Sequence, residues 1–168
     1  PWVRFGIGPA GAACSDSSVA ASHGVEPLSN YCSASDWQYN GIFSDPVQWL
    51  EDGTIDYISP QIYWTTTNAT NPFGPMTQWW SKVANQFGRH HFASHSLSFL
   101  KSNTESNWQD VGKQLQYLRD YTENAAPGSV FYSFQYMSGK TASGFGDWLL
   151  ANKYQMKSLP PAMTWKNA

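Results

Sequence analysis

The sequence of 168 residues is poor in charged side chains and has no long apolar run, and these shortages exclude two classes of protein. Charged residues make up 13% of the chain, about half the usual share of roughly 25%, and their net charge is −2. Because the chain has no basic stretch, it lacks the electrostatic footprint of a nucleic-acid-binding protein. No segment approaches the roughly 18 apolar residues of a membrane-spanning helix. We therefore expect neither a nucleic-acid partner nor a membrane-spanning segment.

Cysteine is also scarce, with only Cys14 and Cys32, both in a stretch rich in glycine, serine and alanine. A disulfide between them would close a loop of about 19 residues and stabilise the fold by roughly 3 kcal/mol. Two free thiols are the alternative.

The chain also starts without Met or a signal segment and is strand-like from Val3. We therefore expect it to be part of a longer polypeptide.

Aromatic residues are abundant, since Trp, Tyr and Phe together make up 16% of the chain. Apolar residues in total make up 41% and are spread along the whole sequence, which argues for a packed core and against disorder. Tryptophan and tyrosine fill cores, but exposed rings also stack against flat apolar ligand faces, including those of sugars. The aromatic excess is therefore compatible with a carbohydrate partner.

The pattern along the chain predicts four units in which a strand is followed by a helix. Strands are expected at residues 3–8, 55–64, 91–99 and 130–136, and helices at residues 47–51, 75–87, 108–122 and 147–152. The first helix has a clear start, because Asp45 can cap it and Pro46 suits its first turn. The helix after the third strand carries an apolar stripe at helical spacing, consisting of Trp108, Val111, Leu115, Leu118 and Thr122.

Alternating strands and helices indicate an α/β fold with a parallel sheet. Four such units make half of a (β/α)8 TIM barrel, whose usual length is about 250 residues. An open four-stranded α/β sheet is the alternative. Polar and aromatic side chains at the ends of the strands favour the half-barrel, because ligands bind there in barrels.

Two blocks of sequence resemble one known family, glycosyl hydrolase-like 10. Residues 49–64, WLEDGTIDYISPQIYW, match its block W-hydrophobic-x-x-G-x-I-D-Y-I-x-P-Q-x-Y-W. Residues 3–9 resemble its V-x-F-G-I-S-P strand, residues 74–88 its next helix, and residues 161–165 its tail. The loop at residues 12–32 departs from the family pattern, so ligand contacts in that loop do not transfer.

The resemblance implies a bacterial glycosidase with a TIM barrel, of which residues 1–168 would form one partial domain, the C-terminal half. Together with the possible disulfide, it suggests an extracytoplasmic protein, either periplasmic, on the cell surface or secreted. The family's acidic Asp-Asp-Tyr motif precedes the first of these strands and is missing here. Because glycoside hydrolysis needs two carboxyl groups, we expect the catalytic acids upstream. The chain would then bind part of a glycan and be inactive alone. The alternative is a non-catalytic carbohydrate-binding module on a degenerate barrel.

Candidate substrate-binding residues lie where strands are predicted to end. They are Gln61, Tyr63, Trp64, His95, Gln135 and Tyr136. Gln61 and Tyr63 are two residues apart and therefore point to the same side of a strand. Trp64 could be a stacking platform or part of the core, and a lone histidine such as His95 is more often structural.

Asp36, in the loop after the first strand, is a weak candidate for a catalytic carboxylate. Asp56 comes at the start of its strand, where a structural role is expected. No set of His, Cys or carboxylates has the spacing of a zinc site, and no phosphate-binding loop is present, so no metal or cofactor is expected. Half a barrel would also expose sheet edges and an apolar face, which predicts self-association, in the simplest case as a homodimer.

Overall fold

Four parallel strands form one sheet in the order β1-β2-β3-β4 in the computed structural model, which describes residues 3–28, 36–121 and 128–166. The strands are β1 (Gly6–Ile7), β2 (Tyr57–Ile58), β3 (His90–Ser96) and β4 (Gly128–Tyr132). The helices are α1 (Ser17–Ser22), α2 (Pro46–Glu51), α3 (Phe73–Gln86), α4 (Glu105–Asp120) and α5 (Phe145–Lys153). The fold is thus α/β, as predicted, and is compatible with half of a TIM barrel.

The register of the sheet places consecutive strands side by side. Gly6 lies opposite Tyr57, which in turn lies opposite His90. β3 and β4 pair over five residues, from Phe92 opposite Gly128 to Ser96 opposite Tyr132. Every strand thus lies beside the next one in the chain, with a helix in each connection, as in consecutive βαβ units.

The first two strands are shorter than predicted because their ladder is interrupted. Pro60 has no N–H to donate, and β2 ends two residues before it. The strands nevertheless stay aligned, since the Gln61 N–H donates to the Pro9 carbonyl at 2.9 Å and Gln61 forms isolated bridges with Ala10 and Ser94. The side chain of Gln61 is therefore held at the sheet although the regular strand has ended.

The helices begin and end close to where capping chemistry places them. Asp45 caps α2 by accepting from the Gln48 N–H at 3.0 Å, and Pro46 opens that helix as predicted. Thr104 caps α4 by accepting from the Asn107 N–H, so the helix begins at Glu105, three residues before the predicted start. The stripe residues Val111, Leu115 and Leu118 are buried. Thr122 and Cys32 lie outside the described residues.

The core lies between the sheet and the helices. Apolar side chains from one face of the sheet and from α3 are completely buried there, among them Ile58, Ile62, Phe73, Met76 and Trp80. A second cluster around α4 and α5 contains Leu97, Leu100, Val111, Phe145 and Leu149. The opposite face of the sheet, called the inner face here, is not covered by any helix of the described residues.

The C-terminal tail closes the end of the sheet at which the strands begin. A short helical turn at Thr164–Lys166 brings the Trp165 Nε1 and the Lys166 Nζ to the two oxygens of Asp56, at 2.9 and 2.6 Å. The Phe5 N–H also donates to Asp56, at 2.8 Å. Asp56 therefore joins β1, β2 and the tail, which is the structural role expected for it.

Candidate functional site

The inner face is defined by the alternation of side chains along β2 and β3. On β3, His91, Ala93 and His95 point toward the helices and are buried, whereas Phe92 and Ser96 belong to the other face. The Tyr57 and Phe92 rings meet edge to face on that inner side, with centroids 5.2 Å apart. A Cβ atom added to Gly6 would overlap the Tyr57 ring, so the inner face needs glycine there.

Two exposed tyrosines lie together on the inner face where the strands end. The rings of Tyr63 and Tyr132 are stacked, with centroids 6.1 Å apart and planes 17° from parallel. Tyr63 is 38% exposed and Tyr132 is 64% exposed, so much of each ring is accessible. Burial, and secondly the neighbouring Tyr132, raises the pKa of Tyr63, so its hydroxyl stays neutral and can both donate and accept.

Polar groups lie beside this aromatic pair. Gln61 is exposed and its Nε2 donates to the Gly8 carbonyl at 2.9 Å, which leaves its Oε1 free of a partner within the described residues. Ser96 is half-buried at the end of β3, between β2 and β4. Gln61, Tyr63, Ser96 and Tyr132 are called the aromatic edge below.

Below the aromatic edge, toward the start of the strands, two serines link β2 to β3. The hydroxyls of Ser59 and Ser94 are 2.7 Å apart, and the Ser94 hydroxyl also donates to the Ser59 carbonyl at 3.1 Å. Both side chains are buried. They therefore tie the strands together and do not offer hydroxyls to a ligand.

The loop after β1 adds aromatic side chains at the same end of the sheet. A single π-helical turn, Trp37–Gly41, is anchored by the buried Gln38, whose Nε2 donates to the Ala10 carbonyl and whose Oε1 accepts from the Ala10 N–H. Trp37 and Tyr39 flank Gln38 and are exposed. The turn is thus fixed to the end of β1 and presents two rings to solvent.

The structure separates the six predicted binding residues. It brings Gln61 and Tyr63 together at the aromatic edge. Trp64 is half-buried and packs against the core. Its ring also lies close to Gly11, where an added Cβ atom would come within 3.0 Å of it. β4 ends at Tyr132, so Gln135 and Tyr136 fall in the following helical turn, Phe134–Tyr136, where Gln135 is exposed and Tyr136 is buried.

His95 lies on the helix-facing side of β3 and is fully buried. Its ring is stacked between those of Phe73 and Phe131, with centroids 5.0 Å away on either side. Both ring nitrogens have protein partners, Gln114 at 2.8 Å and Ser129 at 3.0 Å. The ring therefore has neither an exposed atom nor a spare nitrogen with which to contact a ligand.

Asp36 precedes the π-helical turn and is only 2% exposed. Burial raises the pKa of its carboxyl group, although the N–H groups of Tyr39 and Asp16 donate to it and oppose this shift. Its Oδ2 has no hydrogen-bond partner within the described residues. The raised pKa suits a proton donor, but the carboxyl group is enclosed by protein in the arrangement seen.

None of the other described carboxylates is part of the aromatic edge, although Asp110 on α4 accepts hydrogen bonds from Thr66, three residues after Tyr63. They occupy helices or the ends of helices, the loop after α1, and, in the case of Asp56, the start of β2. Residues 3–28, 36–121 and 128–166 also contain no group of three or more His, Cys, Asp or Glu that could hold a metal ion. The aromatic edge can therefore stack and hydrogen-bond a ligand, but its own residues supply no acid.

Sequence reasoning missed Tyr132 because it expected the fourth strand to continue to residue 136. Since β4 ends four residues earlier, the ring at its actual end is Tyr132. The alternation Val130, Tyr132 was a usable signal, because it places both residues on one face. Its inner-face position then follows from the pairing of Tyr132 with Ser96.

A four-stranded parallel sheet with helices on one face is compatible with the class of barrel-type α/β proteins, in which ligands bind where the strands end. Within this class, the chain belongs to the glycosyl hydrolase-like 10 family, whose model matches residues 1–110. This match confirms the resemblance seen in residues 3–9 and 49–64.

Individual relatives agree with the family. Glycosyl hydrolase YngK of Bacillus subtilis is 27% identical over 169 residues, which cover 98% of this chain and 31% of YngK. Glycosyl hydrolase DigH of Escherichia coli K12 is 31% identical over 83 residues, which cover 49% of this chain and 17% of DigH. The chain thus spans less than a third of the length of these relatives.

Within the described residues, no helix is long and apolar enough to cross a membrane.

Proposed function

We propose that this chain forms one wall of the substrate cleft in a glycoside hydrolase that acts on O-glycosidic bonds of a polysaccharide or glycan. The observation that carries this proposal is the aromatic edge, where the stacked rings of Tyr63 and Tyr132 lie exposed beside Gln61. Tyrosine rings stack on the apolar faces of sugars, and amide and hydroxyl groups hydrogen-bond their hydroxyls.

We place the two catalytic carboxyl groups in a part of the polypeptide outside this chain. A retaining or an inverting glycosidase needs two such groups, about 5 to 9.5 Å apart, on either side of the scissile bond. Among the described residues, no carboxylate lies at the aromatic edge, and Asp36 is enclosed. The role of this chain would be to bind and orient the glycan next to acids supplied by the other half of the barrel.

Catalysis is tested by assaying the longer polypeptide, in which we propose that this chain lies, against a panel of bacterial and plant glycans. We expect hydrolysis by the longer polypeptide and none by residues 1–168 alone. Hydrolysis by this chain alone would contradict the placement of the acids. If the longer polypeptide binds glycans but hydrolyses none, the alternative of a non-catalytic binding module is correct.

Binding at the aromatic edge is tested by replacing its rings. Tyr63→Ala and Tyr132→Ala should each weaken glycan binding about tenfold, measured by calorimetry on the longer polypeptide. The chain offers a matched control, because Tyr117 and Tyr121 form a second stacked pair at the end of α4, 5.6 Å apart and 15° from parallel. Tyr121→Ala should leave glycan binding unchanged. Equal losses for all three variants would refute a role for the aromatic edge.

A further inference from the structure

Behind the aromatic edge, four polar side chains form a continuous row of hydrogen bonds between α4 and the sheet. Asp110 and Gln114 lie one turn apart on α4, and the Gln114 Nε2 donates to an oxygen of Asp110 at 2.8 Å. The Gln114 Oε1 lies 2.8 Å from the His95 Nδ1, and the His95 Nε2 lies 3.0 Å from the Ser129 hydroxyl. These four residues are called the buried polar row.

The positions of the hydrogens in the buried polar row follow from the carboxylate at its end together with the neutral state of the His95 ring. A carboxylate only accepts, so the amide NH2 of Gln114 must face Asp110 and its oxygen must face His95. The His95 Nδ1 must then carry a hydrogen. Burial lowers the pKa of His95 to about 4, although its bond to Gln114 opposes this shift, so the ring is neutral at pH 7. Its Nε2 is therefore an acceptor, to which Ser129 donates.

Asp110 also holds the loop that follows Tyr63. Its Oδ1 accepts from the backbone N–H of Thr66 at 3.1 Å and from the Thr66 hydroxyl. The Gln114 Nε2 lies 3.5 Å from the carbonyl oxygen of Trp64. One carboxylate thus fixes the direction of the buried polar row and the path of the chain immediately after Tyr63.

We infer that Asp110 is a positioning residue for the aromatic edge: it holds the Tyr63–Thr66 segment from behind the sheet and keeps His95 in the Nδ1–H tautomer. The link to ligand binding rests on the proposed function, because the position of Tyr63 affects affinity only if its ring contacts the glycan. The tautomer and the position of the segment are independent of that function.

The tautomer is tested by long-range proton–nitrogen NMR on the longer polypeptide labelled with 15N-histidine. The His95 signals are identified by their shift in Ser129→Ala, which removes the hydroxyl that contacts the ring. We expect a neutral Nδ1–H ring in the unchanged protein. In Asp110→Asn, the new amide no longer dictates how Gln114 is oriented, so a second His95 tautomer should appear. A neutral Nε2–H ring or an imidazolium in the unchanged protein would overturn the assignment.

α4 supplies a matched control for this substitution. The Gln116 Nε2 donates to Asp120 at 2.7 Å, the same pairing of glutamine and aspartate one turn apart, but on exposed residues. Asp120→Asn should leave the His95 and Tyr63 signals unchanged. Thr66→Val removes one donor to Asp110 without touching His95, so it should shift the ring signals of Tyr63 and leave the His95 tautomer as it is.

Positioning is tested by the Tyr63 ring signals and by glycan affinity. Asp110→Asn should shift the Tyr63 signals and weaken glycan binding about five- to tenfold, and it should weaken binding no further once Tyr63 is alanine. Unchanged Tyr63 signals in both Asp110→Asn and Thr66→Val would overturn the inference. If the unchanged protein binds no glycan, the proposed function fails, while the His95 and Tyr63 signals still decide the role of Asp110.

Discussion

The two faces of the sheet differ in how far this chain covers them. On the helix-facing side, Ile58, Ala93 and Leu97 are completely buried, and even the polar ring of His95 has partners for both nitrogens. On the inner face, Val130 and Tyr132 are exposed. The difference shows that the described residues complete only one layer of packing. The inner face retains accessible apolar and hydrogen-bonding groups, which is what a ligand or another part of a barrel requires.

The two ends of the inner face also differ. Where the strands begin, the tail is tied to Asp56 by Trp165 and Lys166, and the edge-to-face contact of Trp165 with His90 extends this closure. Where the strands end, the rings of Tyr63 and Tyr132 remain open to solvent. The division matches barrel enzymes, in which the end where strands begin supports stability and the other end carries the ligand.

The largest expected effect tests the difference between the covered and the uncovered side of the sheet, by replacing one large aromatic side chain on each side. Trp80 is fully buried on α3, and its Nε1 donates to the Gly11 carbonyl at 2.7 Å. Trp80→Ala should lower the free energy of unfolding by about 3–5 kcal/mol, because it leaves a cavity and an unpaired carbonyl. Tyr132→Ala should lower it by less than about 1 kcal/mol, because its ring is largely exposed. Denaturant titration measures both values, and similar losses would contradict the comparison.

The closure of the sheet by Asp56, at the end where the strands begin, predicts that the protein loses stability in acid. Burial by itself would raise the pKa of Asp56, but hydrogen bonds from Lys166, the Phe5 N–H and Trp165 outweigh it and lower the pKa from 3.8 to about 2. A carboxyl group whose pKa is lower in the folded state stabilises the fold above pH 3.8. That stabilisation, about 1–2 kcal/mol, is lost as the pH falls from 3.8 to 2.

Unfolding of the unchanged protein and of Asp56→Asn at several pH values between 2 and 5 measures this contribution. The variant should be less stable at pH 5, and the difference between the two proteins should shrink toward pH 2. Lys166→Met removes the cation but keeps the carboxylate, so it should reduce the same acid dependence only in part. A constant difference across this range would show that Asp56 does not stabilise the fold through its charge.

The helices and the order of the strands could be predicted from sequence because their signals are local. Asp45 and Pro46 predict the start of α2 from two adjacent residues, and the stripe of Val111, Leu115 and Leu118 places one side of α4 in the core. Alternating strands and helices predict a parallel sheet. All of these inferences use residues that are close in sequence and do not depend on which strands are neighbours in space.

The candidate site was harder to predict because it depends on register and on where strands end. Along β3, both alternating sets of side chains contain a histidine, His91 and His95 on one side and His90 on the other, so polarity alone does not reveal the buried face. β4 ends at Tyr132, although the apolar pattern continues to Tyr136. The helical turns in the loop after β1 are too short to leave a periodic pattern.

Replacing exposed rings at the uncovered side of the sheet should have the smallest effect on stability but a clear effect on self-association of the chain. The exposed inner face predicts that residues 1–168, studied alone, self-associate by covering this face with a second copy. Tyr132 is exposed on this face, and Phe134 is exposed in the helical turn that follows β4. The double variant Tyr132→Ser, Phe134→Ser should therefore shift the molecular mass from light scattering toward that of a monomer, while the free energy of unfolding changes by about 0.5 kcal/mol per site or less.

The tail provides the control for this last prediction. Met156 and Leu159 are more exposed than Tyr132, but they belong to the segment between α5 and the closing turn and not to the sheet. Met156→Ser, Leu159→Ser removes two even more accessible apolar side chains and should leave the molecular mass unchanged. If the tail variant dissociates the assembly and the inner-face variant does not, the uncovered sheet is not what drives association. If the unchanged chain is a monomer at high concentration, its inner face does not need to be covered for solubility.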